Sequence, residues 1–87
     1  MRVTVGQEVF SETVHDETVL LELRSGQYYG LDSISSRFWQ LLSELESTEA
    51  VVDAALKEYA VEREKLTRDI EEFVRALEER GLVVTSC

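Results

Sequence analysis

Proline is absent from this 87-residue chain, and cysteine and histidine occur once each. The one cysteine, Cys87, is the last residue. It has no partner for an internal disulfide, so the fold must rest on its core alone. A chain terminus offers neither the base nor the rigid setting that a nucleophile needs, so Cys87 is expected to be a solvated tail residue. The one histidine, His15, sits in a polar turn far in sequence from Cys87. No Ser/His/Asp set and no Cys/His cluster with metal-ligand spacing can be built around it. The glycines form no glycine-rich loop ahead of a helix that could hold a phosphate. Carboxylates are plentiful, but Glu44, Glu46, Glu49, Glu71, Glu72, Glu78 and Glu79 fall on apparent solvent faces. The expectation is a chain that is not an enzyme and carries no metal or cofactor.

Positive charge is also scarce. There are 9 Lys+Arg against 18 Asp+Glu, a net charge of −9 at pH 7. Such a chain repels phosphate backbones and anionic lipid, which speaks against nucleic-acid and membrane partners. No stretch approaches the roughly 20 apolar residues that a membrane helix needs. The stretch from Met1 to Glu8 lacks the apolar core of a secretion signal. The expected compartment is the cytoplasm.

What is present is enough for a core. Hydrophobic residues make up 44% of the chain, and its length suits a single domain over residues 1–87. Gln7 to Val14 reads as a first strand. His15-Asp16-Glu17 is a polar turn. Thr18 to Leu23 is a second strand, with Val19, Leu21 and Leu23 alternating on one face. Arg24-Ser25-Gly26-Gln27 is a hairpin turn in which Gly26 takes a positive φ. Tyr28 to Leu31 is a short third strand.

Helices follow. Asp32 or Ser33 caps the first, which carries Ile34, Phe38, Leu41, Leu42 and Leu45 as a stripe, with Trp39 beside it. Ser47 or Thr48 caps the second, which carries Val51, Val52, Ala55, Leu56 and Tyr59. The third begins near Glu62, carries Leu66, Ile70, Phe73, Val74 and Leu77, and stops at Gly81. Leu82-Val83-Val84 is expected to return, extended, to the sheet. The predicted fold is α+β: a three-stranded antiparallel meander followed by three helices, βββααα.

These are also the parts of a winged helix, a fold often used on DNA. Between Glu62 and Arg80, however, Arg63, Lys65, Arg68, Arg75 and Arg80 face a larger acidic set of Glu62, Glu64, Asp69, Glu71, Glu72, Glu78 and Glu79. A helix so charged is a poor fit to a phosphate groove.

Peptide binding is the remaining class. The third strand has a neighbour on one side only. Exposed strand edges are usually protected by charge, proline or a covering element. Gln27-Tyr28-Tyr29-Gly30-Leu31 has none of these within it. Such an edge suits strand addition by a peptide. Alternatively, the third helix or the C-terminal segment covers it. On the third helix, Asp69 and Phe73 lie at one margin of the apolar band, with Lys65, Glu72 and Ala76 along the same side. Asp69 could receive a donor from a peptide, or cap a loop, or pair with Arg68 or Arg24. Proline at Tyr29 is expected to remove a ladder donor and to weaken peptide binding strongly while the domain stays folded.

Two segments carry a resemblance. One runs from Val19 through Arg24-Ser25-Gly26-Gln27-Tyr28-Tyr29-Gly30-Leu31-Asp32 to Ser36-Arg37-Phe38-Trp39-Gln40-Leu41-Leu42. The other is Asp69-Ile70, Phe73-Val74, Leu77 and Gly81-Leu82-Val83. In order, over residues 7–84, they resemble the PqqD-like recognition elements of ribosomal peptide biosynthesis. The Arg-Ser-Gly-x-Tyr turn and the length look most like stand-alone lasso-peptide B1 proteins. Val61-Glu62-Arg63 departs from the Asp-Pro common near the start of the family's third helix. The resemblance implies a domain that binds the leader of a precursor peptide. That leader would add to the third strand at Gln27, Tyr28, Tyr29, Gly30, Leu31 and Asp32. It would lie against Lys65, Leu66, Asp69, Ile70, Phe73, Ala76 and Leu77 of the third helix. The implied partners are a separate transglutaminase-like cysteine leader protease of the B2 type and a cyclase.

Overall fold

Alternation of apolar and polar residues builds the strands, and 3.6-residue spacing of apolar residues builds the helices. In a computed structural model, which describes residues 1–86, the order is β1 (Arg2–Val5), β2 (Val9–Val14), β3 (Glu17–Glu22), β4 (Gln27–Leu31), α1 (Ser33–Leu45), α2 (Thr48–Ala55), α3 (Arg63–Glu79) and β5 (Val83–Ser86). The expected α+β meander is there as an antiparallel sheet in the order β2-β3-β4, followed by the three helices. Cys87 lies outside the described residues.

Two expectations are corrected. The C-terminal segment does not return to the meander. β5 pairs antiparallel with β1, a strand not anticipated from the sequence, as a separate two-stranded ribbon. Val3 of β1 is buried, and its N–H donates to the Glu46 carbonyl at 2.9 Å, so the ribbon is fastened to the end of α1. The second correction concerns Leu23. Val19 and Leu21 share a face as expected, the one turned away from the core: Val19 is 43% exposed and Leu20 is fully buried. Leu23 falls in the turn beyond β3 and is exposed.

The buried face of β3 also holds Thr18 and Glu22. Burying them is tolerable because both are hydrogen-bonded. The Thr18 hydroxyl lies 2.9 Å from that of Thr13, and the Thr18 N–H donates to Ser36 Oγ at 2.8 Å. Glu22 accepts from the N–H groups of Arg24 and Ser25 at 3.0 and 3.1 Å. Its carboxylate thereby closes the hairpin turn, where Gly26 has φ +71. On the outer face Phe10, Val14, Val19 and Tyr28 remain exposed around a shallow depression of about 490 Å³.

The caps resolve between the candidates. Asp32 caps α1, accepting from the Ser35 N–H at 2.8 Å, and Ser47 caps α2, accepting from the Ala50 N–H. α3 ends in a reciprocal pair of bonds, Leu82 N–H to the Leu77 carbonyl at 2.9 Å and Gly81 N–H to the Glu78 carbonyl at 3.0 Å. This closure requires the left-handed φ of +74 at Gly81. Leu66, Ile70, Val74 and Leu77 enter one core with Leu20, Phe38, Trp39, Leu42, Val51 and Leu82. Among the described residues no helix is long and apolar enough to cross a membrane.

Candidate functional site

The position of β4 follows from strand order. It pairs with β3 on one side, and no strand among the described residues pairs with its other side. β5, which was a candidate cover, is engaged with β1 instead. Backbone direction along β4 follows from one contact. Thr18 and Leu31 are opposite each other, and Ser36 Oγ bridges them, accepting from the Thr18 N–H and donating to the Leu31 carbonyl at 3.2 Å. The polar backbone groups of Leu31 therefore face β3. Strand alternation then turns those of Tyr29 and Gln27 the same way and those of Tyr28 and Gly30 outward. This corrects the expectation for Tyr29. Its N–H belongs to the internal ladder, so proline there would break the hairpin rather than only the open edge.

Side chains on β4 divide by the same alternation. Tyr28 and Gly30 lie on the outer face, opposite Leu21 and Val19. Tyr28 is 70% exposed, and a Cβ at Gly30 would meet nothing within 4 Å. Tyr29 and Leu31 lie on the inner face, half-buried against the core. The Tyr29 hydroxyl donates to Gln27 Oε1 at 2.5 Å.

α3 presents two margins. Its Arg63, Thr67 and Glu71 margin lines a small cleft with Thr48, Glu49 and Val52 of α2. The opposite margin carries Asp69, Phe73, Ala76 and Arg80, three or four residues apart. Phe73 packs on Phe38 of α1 with ring centroids 6.2 Å apart, and Phe38 packs edge-on against Tyr59 at 6.2 Å. The Arg37 guanidinium clamps this corner by donating to both oxygens of Glu58, at 2.9 and 2.6 Å. Those hydrogen bonds hold the Glu58 carboxyl below its ordinary range against the opposing effect of burial. At the end of α3 the Arg80 guanidinium carbon stands 5.2 Å from the centroid of the Tyr29 ring.

The thirteen residues expected to form the site therefore separate. Gln27, Tyr28, Gly30 and Asp32 are exposed, and Tyr29 and Leu31 are half-buried. Lys65 and Asp69 are exposed and pair with each other at 3.2 Å, so Asp69 takes neither Arg68 nor Arg24. Phe73 and Ala76 are half-buried on the margin. Leu66, Ile70 and Leu77 are 3%, 0% and 2% exposed, so they form the floor beneath the margin and offer no surface to a ligand. Arg80 was not among the expected residues. Continuing the spacing from Asp69, Phe73 and Ala76 by one turn lands on it, but its place beside Gly81 marked it as a helix end.

Glu22 sets the hairpin that presents β4, and its titration reports on that turn. Hydrogen bonding from the Arg24 N–H, opposed by burial and reinforced by the Ser25 N–H, lowers its pKa from the ordinary 4.5. A lowered folded value means the carboxylate adds stability above about pH 4.5 and loses it as pH falls through the folded value. Acid titration of the Arg24 and Ser25 amide shifts is expected to show a midpoint below 4.5, absent in Glu22→Gln. A midpoint at or above 4.5 would contradict this role.

The family described as coenzyme PQQ synthesis protein D (PqqD) matches residues 17–83. A solved structure described as TbiB1 in complex with the TbiA(beta) leader peptide is similar at a TM-score of 0.91 and 40% identity, over 97% of this chain and 98% of that one. A lasso peptide synthetase B1 complexed with the leader peptide is similar at a TM-score of 0.86 and 29% identity, over 98% of this chain and 100% of that one. Comparison with curated protein sequences returns no match.

Proposed function

The chain belongs to the PqqD family, and from that premise we propose that it is a single-domain leader-peptide recognition element of the lasso-peptide B1 kind. The leader segment of a ribosomally made precursor adds as a strand to the outer edge of β4. It runs between that edge and the Asp69–Arg80 margin of α3. The domain performs no chemistry itself. It delivers the precursor to a separate cysteine leader protease of the B2 type and to a cyclase that acts on the core peptide.

The observation that carries this reading is the unpaired edge of β4, with the backbone groups of Tyr28 and Gly30 turned outward. Main-chain hydrogen bonds to those groups supply affinity with little demand on leader sequence. Selectivity then falls to side chains that alternate between the α3 side and the outer face. The structural relatives in leader-peptide complexes support the choice of ligand.

The TbiA(beta) leader peptide is the natural first probe. Titrated into the labelled protein, it is expected to shift amides of residues 27–32 and of Asp69, Phe73, Ala76 and Arg80. Shifts centred instead on Phe10, Val14 and Val19 would place the ligand on the outer sheet face and end the strand-addition reading.

A further inference from the structure

Arg63 and Lys65 close ion pairs with Asp53 and Asp69, and Arg37 closes one with Glu58. Arg80 does not, nor do Arg2, Arg24, Lys57, Arg68 and Arg75. Among the described residues Arg80 has no carboxylate partner, although the chain carries 18 acidic residues and Glu78 and Glu79 precede it directly. Its guanidinium instead lies over Tyr29, 5.2 Å from the ring centroid. Tyr29 is the inner-face residue at the middle of β4. Arg80 thus reaches from the end of α3 to the strand and links the two walls of the proposed site.

The distances give this contact a consequence. An added strand would lie about 4.8 Å from β4, and its side chain opposite Tyr29 would enter on the same inner face. The guanidinium stands over that ring, 5.2 Å from its centroid. Among the described residues the guanidinium N–H groups make no hydrogen bond within the chain, which leaves them available. Those groups form a fork suited to a carboxylate. The ring also restrains the arginine before any ligand arrives, which lessens the entropy lost on binding.

We infer that Arg80 is a specificity-determining residue that selects a peptide with an aspartate or glutamate side chain facing inward opposite Tyr29. This rests on the strand-addition reading and adds the charge and place of one side chain to it. Arg80 overcomes, at one point, the repulsion that a chain of net charge −9 exerts on an acidic peptide. The bound peptide's register is set there, because a shift of one residue would turn its carboxylate to the outer face.

The test uses a displayed library of random peptides long enough to span β4, selected in parallel on the wild-type protein, Arg80→Gln and Arg80→Glu. Amide spectra establish that each variant is folded, as expected for an exposed residue. Wild-type selections should share an acidic residue at one aligned position. Changing it to the amide should weaken binding about tenfold. The same change should have no effect on Arg80→Gln, and Arg80→Glu should favour lysine or arginine at that position. If all three proteins select the same peptides without an acidic position, while Gly30→Pro abolishes their binding, the role of Arg80 is overturned and strand addition stands. If the selected peptides ignore Gly30→Pro, or none is selected, strand addition fails and the inference with it.

Discussion

Replacing Gly30 by proline is expected to leave the domain folded and to weaken leader binding by roughly 2–3 kcal/mol, about 30- to 150-fold in Kd. The Gly30 N–H points out of the sheet, so its loss removes no bond of the β3–β4 ladder. Proline is tolerated on edge strands at such positions. A side chain there meets open space, since nothing lies within 4 Å of the Cβ position. The added strand, in contrast, loses a donor for one of its carbonyls, which is left unpaired inside the new interface. The proline ring also occupies the line of approach. Calorimetry with the leader gives the affinity, and thermal melting gives the stability. Unchanged affinity in a folded Gly30→Pro protein would refute strand addition at this edge. Tyr29→Pro should behave differently and lose stability along with binding, because its N–H serves the internal ladder.

Ile70→Ala is expected to cost about 2–5 kcal/mol of folding stability, a large share of the roughly 5–15 kcal/mol typical of a domain. Ile70 is fully buried in the cluster that joins α3 to Leu20, Phe38 and Val51. Deleting its side chain leaves a cavity that rigid neighbours on three elements cannot close. The affinity of the molecules that remain folded should stay near wild type, because the residue presents no surface to a ligand. Phe73→Ala is the contrasting case. Phe73 is half-buried on the margin, packed on Phe38. Its truncation should lower affinity at a smaller cost in stability. Denaturant unfolding together with binding measurements on both variants separates the two roles. A direct loss of affinity in folded Ile70→Ala, with Phe73→Ala binding normally, would reverse the assignment of floor and wall.

The contrast between these two residues marks where sequence patterns stop being informative. Leu66, Ile70, Val74 and Leu77 repeat at helical spacing, and all are buried, because a helix with one apolar stripe has one way to face a core. Asp69 and Phe73 stood out as the margin of that stripe for the same reason. β3 gave a weaker signal. Val19 and Leu21 on one face and Leu20 on the other are all apolar, so period-two alternation names two faces without saying which is buried. The buried choice includes Thr18 and Glu22, and it is stable only because Ser36 and the turn amides of Arg24 and Ser25 satisfy them. Those partners lie on other elements or in the turn geometry.

The amino-acid sequence by itself determined the order of the three central strands and three helices, the acidic surface, the stop at Gly81, and the undefended composition of Gln27–Leu31. Each is a local property of propensity, spacing or charge. Tertiary structure alone decided that β5 pairs with β1 and leaves β4 at the sheet edge, and that Tyr28 and Gly30 carry the outward backbone groups. It also decided that Arg80 comes to rest on Tyr29. The physical reason is that strand pairing and the meeting of α3 with β4 are long-range contacts. Their partners are chosen by competition among distant segments, and no local pattern in the chain records the outcome.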